Sequence, residues 1–304
     1  MSLRAAFAFT PAESKRFIAR AVAAMPEIKA ALADDLIVIA HGSTNVFVAE
    51  EIIGAMPRAR GTFLSGQIFN GVMCQTEPSE KGPMLVLDRG TLIPPATMMG
   101  DVLDAGGPGA IVIKGANAVD ADGNAGVFCA HPGCGTIGFA YGYISVRGVQ
   151  LIVPVGIEKL VTSVAKAAKQ LGHDNLYYQT GFQIGMMPLV NATVVTEITA
   201  FRILFGLEAV HVGGGGVTGS EGTVVLVASG EKQQLDAAIV AIEAIKGEPP
   251  LMTMKAACAT CVPTSPAVAN GAVIKPAEPK ISCIFQGMSE SALPATFIRR
   301  PGAP

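Results

Sequence analysis

The stretch DDLIVIAHGSTNVFVAEEI, residues 34–52, decides the fold. Leu36 to Ala40 is apolar at every position, the pattern of a strand covered on both faces. His41-Gly42-Ser43-Thr44-Asn45 follows as a small polar turn, and Thr44 to Ala55 reads as a helix. Open α/β sheets bind their ligands where strands end in such turns. Unpaired N–H groups and the dipole at the helix start favour an anion there, by about 0.3 to 1 kcal/mol per charge. A helix cap needs one polar side chain, and this turn offers four around Gly42. His41, Gly42, Ser43, Thr44 and Asn45 are therefore the first candidate ligand-binding residues.

The same rhythm continues outward. Thr10-Pro11-Ala12-Glu13 is a capping box with proline at the first helical position, so helices are expected over 11–24 and 26–33. Further apolar strands are expected at 84–88, 110–115 and 150–156, and a helix over 159–171. The Gly-rich segment 61–82 reads as loop with one short strand. Apolar strands alternating with helices imply a parallel sheet covered on both faces. Residues 1–175 are thus expected to form a doubly wound, mostly parallel α/β domain. After residue 190 the order β-α-β-β-α suggests a small α+β unit, ferredoxin-like with one strand short, over 176–247. The Pro- and Ala-rich segment 248–304 reads as an extended C-terminal arm.

Hydrophobic residues make up 50% of the 304 and charged residues 15%, enough for a large core. The mean hydropathy of +0.46 raises the question of membrane spans. No apolar run approaches the roughly 20 residues that a spanning helix needs. A net charge of −2 gives no basic stripe for nucleic acid, and with no Trp and four Tyr there is no stacking platform. The start shows no signal-peptide pattern, and six scattered cysteines suit reduced thiols, so a cytoplasmic location is expected. Low charge and apolar tail residues (Met252, Met254, Val262, Ile274, Ile281, Ile284 and Phe285) point to a homo-oligomer, a dimer being the commonest closed form.

A second strand end carries IVIKGANAVDADGN, residues 111–124. If it neighbours the first, Lys114, Gly115 and Asn117 face the same crevice, with Lys114 suited to a phosphate or carboxylate. Asp120 is the candidate general base; the competing reading of Asp-Ala-Asp-Gly-Asn is ordinary turn chemistry. Glu158 and Lys159 follow another strand end and are candidates for the same crevice, Glu158 together with Lys114 and Asp120 for catalysis; the competing reading is an N-terminal Glu and its neighbour on a solvated first turn.

Strand-GST-helix followed by strand-KGANAVDADGN resembles the superfamily of ribose-5-phosphate isomerase, glucosamine-6-phosphate deaminase and the family I CoA-transferases. The resemblance covers about residues 34–165. It implies a phosphate- or CoA-binding cleft at the GST-like turn and an isomerase, deaminase or acyl-CoA transferase activity. No Ser-Glu-Asn-Gly stretch of the transferase nucleophile is present, and the isomerase's multi-glycine loop is reduced to Gly115. The reaction therefore stays open, and a non-catalytic sensor on the same fold is the competing class.

Gly214-x-Gly216-x-x-Gly219 matches a dinucleotide fingerprint, but a strand and not a helix follows, so a hairpin or lid edge is the better reading. Cys129, His131 and Cys134, with Cys258 and Cys261, carry a third possibility, a metal- or redox-dependent protein. Pro263 and Pro266 crowd the second pair and no standard knuckle spacing is present, so neither metal nor cofactor is expected. The leading expectation is an anionic, phosphorylated small molecule bound between 41–45 and 114–124.

Overall fold

Leu36–Ile39 buries all four side chains, as its unbroken apolar pattern requires. The computed structural model describes residues 2–94, 99–261, 267–269, 272–274 and 283–297, with side chains for all but 99, 267–269 and 272–274. Val262, Ile281, Pro263 and Pro266 lie outside the described residues, as does the Ile274 side chain.

In chain order the elements are β1 (Leu3–Phe9), α1 (Pro11–Ala24), α2 (Pro26–Asp34), β2 (Leu36–Ile39) and α3 (Ser43–Ile53). Next come β3 (Gly66–Phe69), β4 (Val72–Gln75), β5 (Leu85–Asp88), β6 (Thr91–Leu92), α4 (Met99–Ala105) and β7 (Ile111–Ile113). Then follow β8 (Ala118–Val119), β9 (Ala125–Cys129), α5 (Gly135–Gly142), β10 (Gln150–Pro154), α6 (Val164–Gln170) and β11 (Gly185–Leu189). β12 (Ala192–Val195), α7 (Glu197–Phe205), β13 (Glu208–Gly215), β14 (Thr223–Gly230) and α8 (Lys232–Glu243) complete the main body.

The chain is mixed α/β, built on a six-stranded mixed sheet in the order β12-β10-β7-β2-β5-β6. β2, β7, β10 and β12 run parallel, with Ile39 beside Ile113 and Val153 beside Val194. β5 runs antiparallel to β2 and returns through Arg89-Gly90, both at positive φ, into β6. Strand alternation divides the core. Ile37, Ile39, Ile111 and Ile113 face α1, α3, α7 and α8, whereas Leu36, Val38 and Val112 face α4 and α5.

A second sheet, β1-β14-β13, is antiparallel, with Phe9 and Val224 paired at one end. Its Phe9, Leu226 and Ala228 join the first of these core faces, so both sheets share one hydrophobic cluster. Phe9 stacks on Phe17, and Phe201 packs edge-on to both, which locks α1 and α7 to this sheet. The expected small unit differs in two respects. Its first strand, β12, belongs to the large sheet, and β1 supplies the third strand of the small one. A boundary at residue 175 also divides paired strands, because β11 pairs with β9 and β12 with β10.

The expected helix over 159–171 is shorter. Residues 157–159 form a 3-10 turn, and α6 starts after Ser163, whose Oγ accepts from Lys166 N at 3.3 Å. The segment read as loop with one strand is the β3–β4 hairpin. Two arginines bind the helices together. Arg16 pairs with Glu50, Glu51 and Glu248, Arg60 with Glu50 and Glu248, and both guanidiniums lie over Phe47. Among the described residues no helix is long and apolar enough to cross a membrane.

Candidate functional site

Parallel pairing puts the carboxyl ends of β2, β7, β10 and β12 along one edge of the sheet, so the residues that follow them become neighbours. After β2 come His41 and Gly42, after β7 Lys114 and Gly115, after β10 Gly156 to Lys159, and after β12 Thr196 and Glu197. β5 begins at the same edge, because Leu85 pairs with Ile39. A largely apolar cavity of about 310 Å³ lies there, bordered by Met56, Arg58, Phe63, Gly82 and Ile93.

His41 stands between this cavity and the strand ends. Its ring packs 5.2 Å from Phe63, and Nε2 lies 2.7 Å from Gly82 O. A carbonyl can only accept, so Nε2 carries the proton and Nδ1, buried and unpartnered, presents a lone pair. Burial pushes the imidazole down to about 4, with Lys81 and Lys114 adding to the effect, so the ring is neutral near pH 7. It offers an acceptor, not the positive charge an anion would prefer.

The α3 N-terminus is open. Gly42 occupies the N-cap with no side-chain cap, so the first-turn N–H groups keep no side-chain partner. Ser43 is half-buried and Thr44 buried. Asn45 has a different task from the expected ligand donor. Its Nδ2 donates to Ala40 O at 2.7 Å and Ile113 O at 3.1 Å, tying β2 to β7, and only Oδ1 is left unpartnered.

Four charged side chains gather along the rest of the edge. Lys114 Nζ donates to Gly115 O at 3.1 Å, and desolvation pushes this ammonium down to about 8. Lys159 Nζ reaches Ala116 O at 3.1 Å. Glu158 Oε1 lies 3.8 Å from both Lys159 Nζ and Lys15 Nζ, while its Oε2 is buried without a partner. Lys15, from α1, is likewise pushed down to about 8 by desolvation, helped by Lys159 and opposed by Glu158 and Glu197.

Glu197 is the most perturbed carboxyl. Its side chain is 0% exposed, Oε2 accepts from Ile157 N at 2.9 Å, and Oε1 has no partner. Desolvation and the nearby Glu158 charge push it up to about 7. The Ser14 hydroxyl lies close enough to ease this slightly without closing a hydrogen bond. Glu158 can fold back because residue 156 is glycine; a Cβ there would overlap its Oε2. The Gly-rich β13–β14 hairpin closes this end, with Gly222 beside Pro11 and Glu158.

The edge therefore brings together His41, Gly42, Ser43, Thr44, Asn45, Lys114, Gly115, Glu158 and Lys159. Asn117 and Asp120 lead elsewhere. Asn117 Oδ1 accepts from Phe128 N at 3.0 Å in the β8–β9 turn. The Asp120 carboxylate accepts from Asn124 N, Asn124 Nδ2 and Val164 N at 2.9 to 3.1 Å. Burial alone would raise its proton affinity, but these bonds outweigh it and hold the carboxyl below the usual range. Its lone pairs are occupied at the start of α6, an arrangement for fixing a turn and not for taking a proton. Sequence reasoning missed Lys15 and Glu197. Thr196-Glu197 repeats the strand, polar residue, helix pattern of residues 39–45, and assigning 192–195 to the large sheet would have found it.

The cysteines divide into two groups. Cys129 Sγ lies 3.8 Å from Cys134 O, and His173 Nε2 contacts Cys129 O at 3.1 Å. His131 Nδ1 accepts from Gly133 N at 3.0 Å. Cys258 and Cys261 instead share a cavity with Cys74 and Cys283. Burial pushes Cys74 up to about 12 and Cys261 up to about 11, each helped by the neighbouring thiols. Comparison with known protein families, with curated proteins and with solved structures finds no match.

Proposed function

We propose that this chain is an enzyme that binds an anionic, phosphate- or CoA-bearing small molecule at the carboxyl edge and moves a proton on it. The observation that carries this reading is the Glu197–Glu158–Lys15 cluster set beside Lys114 and the uncapped start of α3. The open N–H groups of Ser43 to Asn45 and the Lys114 ammonium supply the anion contacts. The apolar cavity beside His41 takes the uncharged part of the ligand.

Glu197 is poised near neutrality, which suits a group that must both take and return a proton. It acts as the general base, with Lys15 and Lys159 facing the charge that develops on the substrate. This carboxylate pair favours the isomerase-like member of the resembled superfamily, and it favours an enzyme over a sensor, whose cleft needs donors only. The reading rests on a doubly wound sheet, supported by helices on both faces. The homo-oligomer belongs to the same proposal: β13 is an edge strand whose Val210 and Val212 are 62% and 56% exposed, a surface fit for pairing with a second copy.

A thermal-shift screen tests this with inorganic phosphate, aldose phosphates and CoA esters. At least one class raises the melting temperature of the wild type and leaves Lys114→Met unmoved. Glu197→Gln keeps the shift and loses turnover of that ligand. An absence of any shift across the three classes refutes the reading.

A further inference from the structure

Lys255 and Cys258 form a buried pair outside the carboxyl-edge site. Lys255 is 1% exposed and Cys258 6%, and Nζ lies 3.3 Å from Cys258 Sγ. Neighbouring segments hold the backbone around both. Ala256 N donates to Gln75 O at 2.9 Å, Ala257 N to Glu77 Oε2 at 3.2 Å, and Gly287 N to Cys258 O at 2.8 Å. Nζ also lies over the Phe297 ring, 5.2 Å from its centre.

Two observations point to chemistry between the two side chains. The first is a poorly solvated ammonium. Such a group has three protons to donate, and among the described residues its polar contacts are long. They are 3.3 Å to Cys258 Sγ, 3.4 Å to Ala256 O and 3.6 Å to Glu290 Oε1. Burying a charge on partners this distant is unfavourable. A reaction that turns the nitrogen neutral and keeps it beside the sulfur relieves that penalty.

The second observation is a void. Cys258 lines a largely apolar cavity of about 20 Å³, with Met73, Phe182 and Phe297 among its walls. It has room for one molecule the size of water, but a buried water needs several polar partners. Dioxygen is apolar, of similar size, and needs none.

We propose that Lys255 and Cys258 are a site of oxidative crosslinking, at which dioxygen places one oxygen atom between Nζ and Sγ. Glu290, whose side chain is 38% exposed, first takes a proton from the ammonium and passes it to solvent. The amine nitrogen and the thiol sulfur then give up two electrons each, and these four electrons reduce one dioxygen. One of its oxygen atoms forms the new N–O and O–S bonds. The other leaves as water with the S–H hydrogen and one N–H hydrogen. Because the two atoms already touch, the flexible lysine stem closes the bridge without moving the backbone. A dithiol reductant returns four electrons and four hydrogens, restoring amine and thiol and releasing water. Crosslinking also removes the positive charge beside Glu290, so the turn at Glu290–Ala292 loses its ion pair when the chain is oxidised.

The test is peptide mass analysis of the full chain, purified without oxygen and then divided between air-saturated and oxygen-free buffer. Free thiols are alkylated and the chain is cut with trypsin. In air, the expected peptide is uncut after Lys255 and carries no alkyl group on Cys258. It is heavier by one oxygen atom and lighter by two hydrogen atoms than the same peptide with free amine and thiol. Dithiothreitol restores cleavage and alkylation, and the oxygen-free sample lacks the peptide. Cys261→Ser keeps the crosslink, whereas Lys255→Arg loses it, because a guanidinium does not deprotonate. The air-exposed wild type decides the matter even if a variant fails to fold. Three results overturn the proposal: normal cleavage after Lys255 in air, oxygen gained on Cys258 alone, or a Cys258–Cys261 disulfide with no oxygen gained.

Discussion

The carboxyl edge of the large sheet and the four-cysteine cavity solve opposite problems. The edge rests on an extensive core and leaves buried polar atoms without partners: Glu197 Oε1, Glu158 Oε2, Asn45 Oδ1 and His41 Nδ1. Its surroundings are stable enough to hold groups in states that water would not favour. Among the described residues the cysteine region buries Val72, Cys258, Leu293 and Phe297, and its buried Lys255 pairs with Glu290. A strong core can carry strained chemistry. Unsatisfied groups mark function only where the rest of the structure can support them.

The largest effect falls on the support of the first region. Arg16→Ala leaves Glu50, Glu51 and Glu248 facing one another with one arginine fewer among them, and strips a cation from the Phe47 face. Removing one member of a half-buried ion network costs on the order of 3 kcal/mol, the lower end of the range for buried pairs. Urea denaturation should show a loss of that order, with hydrogen exchange in residues 72–76 and 255–261 unchanged while the chain remains folded.

The next effect is pH-dependent. Glu197 binds its proton more tightly in the folded chain than in the unfolded one. Its contribution is fully present below the unfolded value of 4.5 and is lost as pH rises through about 7. Glu197→Gln keeps a neutral side chain at every pH. The variant should therefore match the wild type near pH 4.5 and exceed it above pH 7, by on the order of 3 kcal/mol. Equal wild-type and variant stabilities at both ends of this range would show that Glu197 is not held neutral by the fold.

The smallest effect sharpens the contrast from the other side. Gly181 has φ +100° and lies against the Met73 backbone. Gly181→Ala should cost about 1 to 3 kcal/mol of local stability. Hydrogen exchange should quicken in residues 72–76 and 255–261 and stay unchanged in β2, β7 and β10. Uniform acceleration would mean that the two regions unfold as one.

Much of this architecture was legible because local chemistry sufficed. The Thr10–Glu13 capping box starts α1, and unbroken apolar runs place β2, β7 and β10. The turn at 41–45 was found at a strand end for the same reason. What could not be read depends on pairing over long distances. β1 has no partner until β14, and nothing local marks Lys15 as a neighbour of Glu158, 143 positions later. Asp120 misled because a turn aspartate and a catalytic one look alike in sequence. Only its filled lone pairs separate them. The cysteines were grouped by closeness in the chain; the fold keeps both groups and adds Cys74 and Cys283 to the second.

The pairing of β1 with β14 also sets a schedule for synthesis. β1 leaves the ribosome well before β14, its strand partner among the described residues, which starts at Thr223. At about 5 to 20 residues per second the wait lasts on the order of ten to forty seconds. During that time the backbone of residues 3–9 has no ladder to join, and Phe9 has no sheet to hold it against Phe17. The last step of folding therefore joins the two extremes of the main body. A nascent chain stalled before residue 223 would present an open strand edge, the form in which chains of this kind pair wrongly with one another.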